Sequence, residues 1–279
     1  MAEITREDLE RRVNRRETLR DLDLSSLNLD DVSMEGAIFK KCKLTGSTAK
    51  RARMAFARFE NCLLIDCEMK SCNLQEAALI ECDLSNSDLC DSEMTEINLS
   101  RSILNETDLS GCFLKNAVLI GTDIQLSSFV QCRLDGSFLE GAKLKSCDFT
   151  AADARDLQAG GVDFSGSHFD GAHLDGSRMQ KGLFNFCNLS VASLIECDLS
   201  EAQLSFTTMN YANLDSANLN SALLLKTKAR EASFKGTILT SANLTMSEFI
   251  ESRFDGADLI GVEDQDTVFE GSTFEGANR

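Results

Sequence analysis

A five-residue period governs almost the whole chain. Counting every fifth residue from Leu24 to Phe274 gives 51 positions without an insertion or a deletion, and 46 of them are Leu, Phe, Met or Ile. Two residues before these positions, 43 of 51 side chains are Ala, Cys, Ser or Thr, and 15 of the 17 Gly residues fall two residues after them. A period of five fits neither an α-helix nor a flat strand. We therefore expect a coil that returns one large and one small side chain to the interior at each corner, with Gly relieving the turns.

The repeat code is small-x-Leu/Phe-x-x, as in residues 212–216 and 217–221. This code resembles that of the pentapeptide-repeat family over residues 22 to 276. The resemblance implies an all-β fold, a right-handed quadrilateral parallel β-helix with four pentapeptides per coil. The 51 units would then form about 13 coils in one domain over residues 22–279.

Residues 1–21 precede the regular repeat and predict a short N-terminal helical cap. Thr5 followed by Asp8 is typical of a helix N-terminus, and Leu9 and Val13 lie four residues apart on one helical face. Such a cap would cover the first coil, which otherwise exposes unpaired strand edges.

One departure from the code lies in mid-chain. Ala154 and Ala159 replace two successive large side chains, and Leu157 stands at a small position between them. Leu157 restores only part of the lost volume. We therefore expect a local kink or bulge at residues 154–159, with a functional hinge as the alternative.

Cys and His, which often serve in catalysis or metal binding, fall at repeat positions that favour neither role. Ten of the eleven Cys occupy the small inward position, where a free thiol acts as an apolar filler, and only Cys90 faces outward as the candidate reactive thiol. His168 and His173 both fall at outward positions on a convex surface. The sequence contains no phosphate-binding, dinucleotide-binding or zinc-protease motif. We expect no enzymatic activity, no catalytic residue, no cofactor and no metal.

The charge distribution and the search for membrane and signal segments limit the kinds of partner that we expect. The formal net charge is −17, and residues 59–279 carry 35 Asp and Glu against 15 Lys and Arg, whereas residues 1–58 are mildly basic. Because such a surface repels phosphates, we expect no direct binding of nucleic acid. No apolar run is long enough to span a membrane, and the first residues are not those of a secretory signal. We expect a cytoplasmic protein without membrane contact, with signal-less secretion as an effector left open.

Outward side chains twenty residues apart should stack on successive coils, so a column can be followed through the sequence. One column of the C-terminal half carries Phe186, Phe206 and Met246, and neighbouring columns add further apolar residues. Apolar side chains that stack are typical of a partner-binding surface, while single scattered ones are ordinary. The apolar patch consists of Leu183, Phe186, Phe206, Tyr211, Leu223, Leu225 and Met246.

The last coils are rich in Phe. Several members of the family pair through such an end, so the resemblance implies a homodimer formed through the C-terminal coils. The candidate dimer end consists of Phe249, Phe254, Phe269 and Phe274.

Two functions stay open at this point. The first is a non-catalytic scaffold for protein–protein interaction, in which an acidic β-helical rod is presented to a partner of unknown identity. The second, implied by the resemblance, is a DNA mimic that binds DNA gyrase or topoisomerase IV and modulates sensitivity to inhibitors. The acidic body favours mimicry, whereas the apolar patch and the basic N-terminal end favour the scaffold.

Overall fold

The computed structural model describes residues 4–279, and the chain forms two compact units, residues 1–143 and 144–279. The first unit begins with helix α1, Arg6–Asn14. Thr5 caps this helix, because its side-chain oxygen accepts the backbone N–H of Asp8 at 3.2 Å. Leu9 is fully buried beneath the helix, so the predicted helical cap is confirmed. Within residues 4–279, no helix has the length and apolar character needed to cross a membrane.

Four short strands in the first unit define the parallel pairing. They are β1 (Thr18–Arg20), β2 (Ile38–Lys40), β3 (Arg58–Glu60) and β4 (Ala78–Ile80). They pair in chain order, and each residue lies beside the one twenty positions further along. Because β1 already takes part in this pairing, the coil begins before residue 22, inside the segment that the sequence assigned to the cap.

The same twenty-residue register holds in both units through single parallel bridges, as between Leu183 and Gln203. Twenty residues at five per side give four sides per coil. The chain therefore folds as the right-handed quadrilateral β-helix predicted from the sequence. The expectation of one domain over residues 22–279 stays a prediction, and each unit is a stack of coils in its own right.

Each corner places one residue in the left-handed region of backbone conformation. Many corners are closed by an N–H that donates to the carbonyl three residues earlier, as from Ala77 to Leu74 at 3.0 Å, with Glu76 at a φ of 53°. A positive φ at the third residue of a β-turn is the condition that favours Gly there. This condition explains why 15 Gly residues recur at the corners.

The large inward side chains form ladders in the core. Phe39 stacks on Phe59 in the first unit with ring centroids 4.5 Å apart, and Phe234 stacks on Phe254 in the second at 4.8 Å. These distances match the spacing of neighbouring β-strands, about 4.8 Å. Phe249 meets Phe234 edge-on at 5.5 Å, so rings from adjacent corners also interlock across the coil.

The small inward side chains do more than fill space. The hydroxyl of Ser87 donates to the carbonyl of Leu64 at 2.6 Å, and it accepts the N–H of Cys67 at 2.9 Å. The thiol of Cys72 donates in the same way to the carbonyl of Ala49 at 2.8 Å. Ser, Thr and Cys therefore satisfy corner carbonyls and amides that would otherwise be buried without a partner.

Within residues 144–279, the bulge expected at residues 154–159 is not present, and no kink appears toward the following coil. Asp153 pairs with His173 and Gln158 with Arg178, so the register toward the following coil is unbroken. Leu157 is buried, and so is Val162 at the next small position. Two large residues at small positions replace the volume lost at the two alanines, which leaves the backbone path unchanged.

Candidate functional site

Large apolar side chains concentrate at left-handed corners of residues 144–279. Phe186, Val191, Phe206, Tyr211 and Met246 have φ between 59° and 64°, and each exposes at least 47% of its surface. Any residue other than Gly costs roughly 1 kcal/mol in this conformation, and apolar exposure adds to the cost. A strained corner that exposes an apolar side chain adds nothing to the packing of the core. This combination is typical of functional surfaces.

Phe186 and Phe206 form the centre of the apolar patch. Their rings stack with centroids 5.0 Å apart and an interplanar angle of 12°. Lys226 lies on the far side of this stack, with its Nζ 5.4 Å from the centroid of the Phe206 ring. Phe206 thus has a neighbour on each face and is 47% exposed, whereas Phe186 is 65% exposed.

The position one coil before Phe186 is Gly166, which has no side chain. Its φ is +74°, and a Cβ built there would meet only the Ser146 hydroxyl, at 3.3 Å. One face of the Phe186 ring is therefore open toward Gly166.

The other predicted patch residues lie on the same sides of the coil but less prominently. Tyr211 projects from the next corner, one coil-side away from Phe206. Leu183 and Leu225 are half-buried, and Leu223 is exposed. Gln203 separates Leu183 from Leu223 in their column. The structure thus brings Phe186 and Phe206 into contact, and it places the remaining members around them.

The surface that carries the stacked pair differs in charge from the rest of its unit. Residues 144–279 contain 20 Asp and Glu against 10 Lys and Arg. Residues 182–195 and 202–214 contain no charged side chain, and residues 222–230 contain only Lys226, Lys228 and Arg230. Arg230 pairs with Glu251 at 2.9 Å, while neither lysine has an ion pair within 4.0 Å among residues 4–279. The stacked pair of Phe186 and Phe206 therefore lies in a neutral to basic area of an acidic unit.

Lys228 was not singled out in the sequence. Gly166 falls in the same twenty-residue column as Phe186 and Phe206, but its missing side chain was not interpreted as an open stacking position. The signal for it was present, because Gly166 precedes Phe186 by twenty residues.

Cysteine placement follows the prediction at ten positions. All eleven are free, ten are buried, and Cys90 is half-exposed. Partial burial raises the pKa of the Cys90 thiol, and hydrogen bonds to the carboxylates of Asp108 and Asp88 raise it further. Cys90 is therefore not activated as a nucleophile, contrary to the expectation of a reactive thiol.

A metal site requires several ligand atoms close to one another. Among residues 4–279, the only group of three or more His, Cys, Asp or Glu side chains with ligand atoms within 4.8 Å of one another consists of Asp88, Cys90 and Asp108. Lys70 already offsets one of the two carboxylate charges, with its Nζ 2.8 Å from a carboxylate oxygen of Asp88. The high pKa of Cys90 also disfavours the thiolate that binds a metal. The cluster is explained by its own ion pair and hydrogen bonds.

Both histidines are exposed, as predicted. His168 faces Asp170, with Nδ1 and Oδ2 3.8 Å apart. This distance exceeds that of a hydrogen bond, so the carboxylate does not hold the imidazole in a fixed orientation.

The candidate dimer end divides into two layers. Phe249 and Phe254 are completely buried in the core, whereas Phe269 and Phe274 are half-buried in the last coil. Arg279 covers both outer rings, with its guanidinium 4.0 Å from the centroid of Phe274. Only the outer pair can contribute to a contact surface.

Comparison with known proteins identifies the repeat. A family model described as a pentapeptide repeat region matches residues 32–109. A second, described as pentapeptide repeats in eight copies, matches segments between residues 98 and 263, namely 98–136, 127–156, 147–185, 187–224, 217–256 and 230–263. No curated protein sequence is significantly similar to the chain.

Several solved structures are similar to this chain at low identity. HetL, a pentapeptide repeat protein involved in heterocyst differentiation regulation from the cyanobacterium Nostoc sp. strain PCC 7120, is 22% identical over 97% of each chain, with a TM-score of 0.27. A trypsin-treated variant of QnrB1, a plasmid-mediated fluoroquinolone resistance protein, is 20% identical over 67% of this chain and 89% of its own, with a TM-score of 0.42. Rfr23 from the cyanobacterium Cyanothece 51142 is 13% identical over 71% of this chain and 91% of its own, with a TM-score of 0.17.

Proposed function

Since the chain belongs to the pentapeptide-repeat family, we propose that it is a non-catalytic scaffold that binds another protein through the apolar patch. The observation that carries this proposal is the stacked pair of Phe186 and Phe206, two exposed rings held at left-handed corners. Gly would be more stable at such corners, so retention of two aromatic residues there favours a binding role over a structural one.

The test compares partner capture by the full chain and by the double variant Phe186→Ser, Phe206→Ser. We expect a stoichiometric protein partner to bind the wild type and to bind the double variant at least tenfold more weakly, because aromatic anchors dominate interfaces. Ile260→Ser is the matched control, since Ile260 is an exposed apolar residue of the same unit outside the patch. Equal capture by all three proteins would refute the role of the patch.

A second candidate function rests on charge. Residues 59–279 carry 35 Asp and Glu against 15 Lys and Arg, a density that favours mimicry of duplex DNA toward DNA gyrase or topoisomerase IV. Its test is DNA supercoiling by gyrase with the chain in micromolar excess. Inhibition that persists in the Phe186→Ser, Phe206→Ser variant would favour mimicry, and unchanged supercoiling would exclude gyrase as the target.

We also propose that two copies pair through their C-terminal coils. The support is the half-exposed state of Phe269 and Phe274, beside the completely buried Phe249 and Phe254. Light scattering of the wild type at micromolar concentration should give the mass of a dimer. The Phe269→Ser, Phe274→Ser variant should give that of a monomer, and a monomeric wild type would contradict the pairing.

A further inference from the structure

The aromatic ladder of the apolar patch ends at an open position. Phe186 and Phe206 occupy successive coils of one column, and Gly166 occupies the coil before them. We propose that an aromatic side chain of the partner stacks on the open face of Phe186 above Gly166, and that a carboxylate of the same partner segment binds Lys226 or Lys228. This inference rests on the proposed scaffold function and specifies the chemistry of the bound segment.

The geometry of the column supports a third ring. The fold sets adjacent rings of this ladder 5.0 Å apart, which is a favourable distance for offset stacking. At Gly166, only the Ser146 hydroxyl comes within 4 Å of where a Cβ would lie. A ring entering there from a partner would bury apolar surface of the most exposed Phe in the chain, which is 65% exposed.

The charges around the column indicate which second side chain the bound partner segment should carry. Lys226 lies three coils beyond Gly166, a rise of about 14 Å at the usual strand spacing. Four residues of an extended peptide span about the same distance. An aromatic residue over Gly166 therefore places the side chain three or four positions away beside Lys226, where an acidic group finds a cation without an ion pair of its own.

The surroundings favour a peptide over a single-stranded nucleic acid. Asp163 and Asp170 lie on the same coil as Gly166, and their unit carries 20 acidic residues against 10 basic ones. A nucleic acid stacked on Phe186 would bring one phosphate per nucleotide into this field. A peptide needs only one ring and one carboxylate at the required spacing.

The probe is a library of random twelve-residue peptides displayed on phage and selected on the full chain. We expect the enriched sequences to share an aromatic residue followed or preceded, three or four positions away, by Asp or Glu. The best peptide is then synthesised with Trp as its aromatic residue. Because the chain contains no Trp, the indole fluorescence comes only from the peptide, and its change on titration with the protein measures binding.

Gly166→Phe is the decisive variant, because it fills the open position with a ring of the chain itself. The left-handed corner accepts Phe, as residues 186 and 206 demonstrate. Gly256→Phe is its control, since Gly256 is another left-handed corner where a Cβ would meet only the backbone of Gly236, at 3.9 Å. Peptide affinity should fall at least tenfold in Gly166→Phe and in Phe186→Ser, and it should stay within twofold in Gly256→Phe. Circular dichroism confirms that each variant is folded.

The stacking proposal is overturned if the enriched peptides lack an aromatic residue, if peptide binding is unchanged in Gly166→Phe, or if no peptide is enriched at all. The scaffold function would survive these results if the double variant Phe186→Ser, Phe206→Ser still loses its protein partner. Binding of a twelve-nucleotide oligothymidylate that is lost in Phe186→Ser would replace the peptide with a nucleic acid.

Discussion

Replacing Val191 by Asn should stabilise the protein, although Val191 is apolar and Asn is polar. Val191 has a φ of 60°, and 63% of its surface is exposed. A left-handed conformation costs a residue with a Cβ roughly 1–2 kcal/mol, and β-branching makes it less favourable still. Asn tolerates this conformation, and it occupies the same corner position at residues 61, 86 and 116. The gain in stability is reduced by about 0.5 kcal/mol, because the buried part of the Val side chain is lost.

The expected net effect is a stabilisation of roughly 0.5–1 kcal/mol, which raises the melting temperature of a unit of this size by about 2–3 °C. Ile238→Asn is the matched control. Ile238 is also β-branched and is 43% exposed, but it pairs as a strand residue with Asn218 and Asp258. More than half of Ile238 is buried and its φ is not positive, so Asn removes buried apolar surface without relieving strain, and this variant should lose about 1 kcal/mol.

Thermal unfolding followed by circular dichroism measures both variants against the wild type. The two substitutions introduce the same side chain on the same unit and should shift the transition in opposite directions. If Val191→Asn melts at or below the wild-type temperature while Ile238→Asn melts lower as expected, the corner is not strained. The exposed apolar corners would then carry no energetic cost that a binding function has to offset.

Three further outcomes can be checked independently. In the native protein at pH 7.5, fewer than one of the eleven thiols should react promptly with a thiol reagent, and Asp108→Asn should accelerate Cys90 by removing a carboxylate that raises its pKa. Phe234→Ala should lower the free energy of unfolding by roughly 3–5 kcal/mol, measured in urea, because it removes a fully buried ring from the ladder. Burial opposes ionisation of Asp198, but hydrogen bonds, first among them those from Ser200, hold the pKa of its carboxyl below the ordinary value. Its contribution to stability is therefore present above about pH 4 and is lost as the pH falls through the lowered pKa, so Asp198→Asn should show a weaker acid dependence.

Nearly all of the fold could be predicted from the sequence, because the five-residue code acts locally at every corner. The large and small positions, the corner glycines and the buried placement of ten cysteines all follow from one phase. The bulge expected at residues 154–159 was wrong because only Leu157 was counted toward the lost volume and Val162, at the next small position, was not. Leu157 and Val162 supply that volume from the small positions, which a single column does not reveal.

The candidate site was less predictable, since its properties depend on ring orientation and on charge pairing. The exposure and the contact of Phe186 and Phe206 follow from the phase, but the near-parallel orientation of their rings and the cover of Phe206 by Lys226 do not. Similarly, an outward Cys90 suggests a reactive thiol until the carboxylate of Asp108 is placed beside it. Pairwise geometry across neighbouring coils decides both cases.

The uniform offset between pairing partners has a consequence for how such a chain can change its length. Every bridge in the second unit joins residues twenty positions apart, so inserting a single residue would move all later side chains to the wrong side of the coil. A duplicated block of twenty residues instead keeps the register, because it packs on its parent on one side and on the parent's former neighbour on the other. Copying residues 204–223, for example, would add another ring to the column of Phe206 while every large and small side chain keeps its inward position. The chain can thus gain binding surface in whole steps, and the size of a step is one coil.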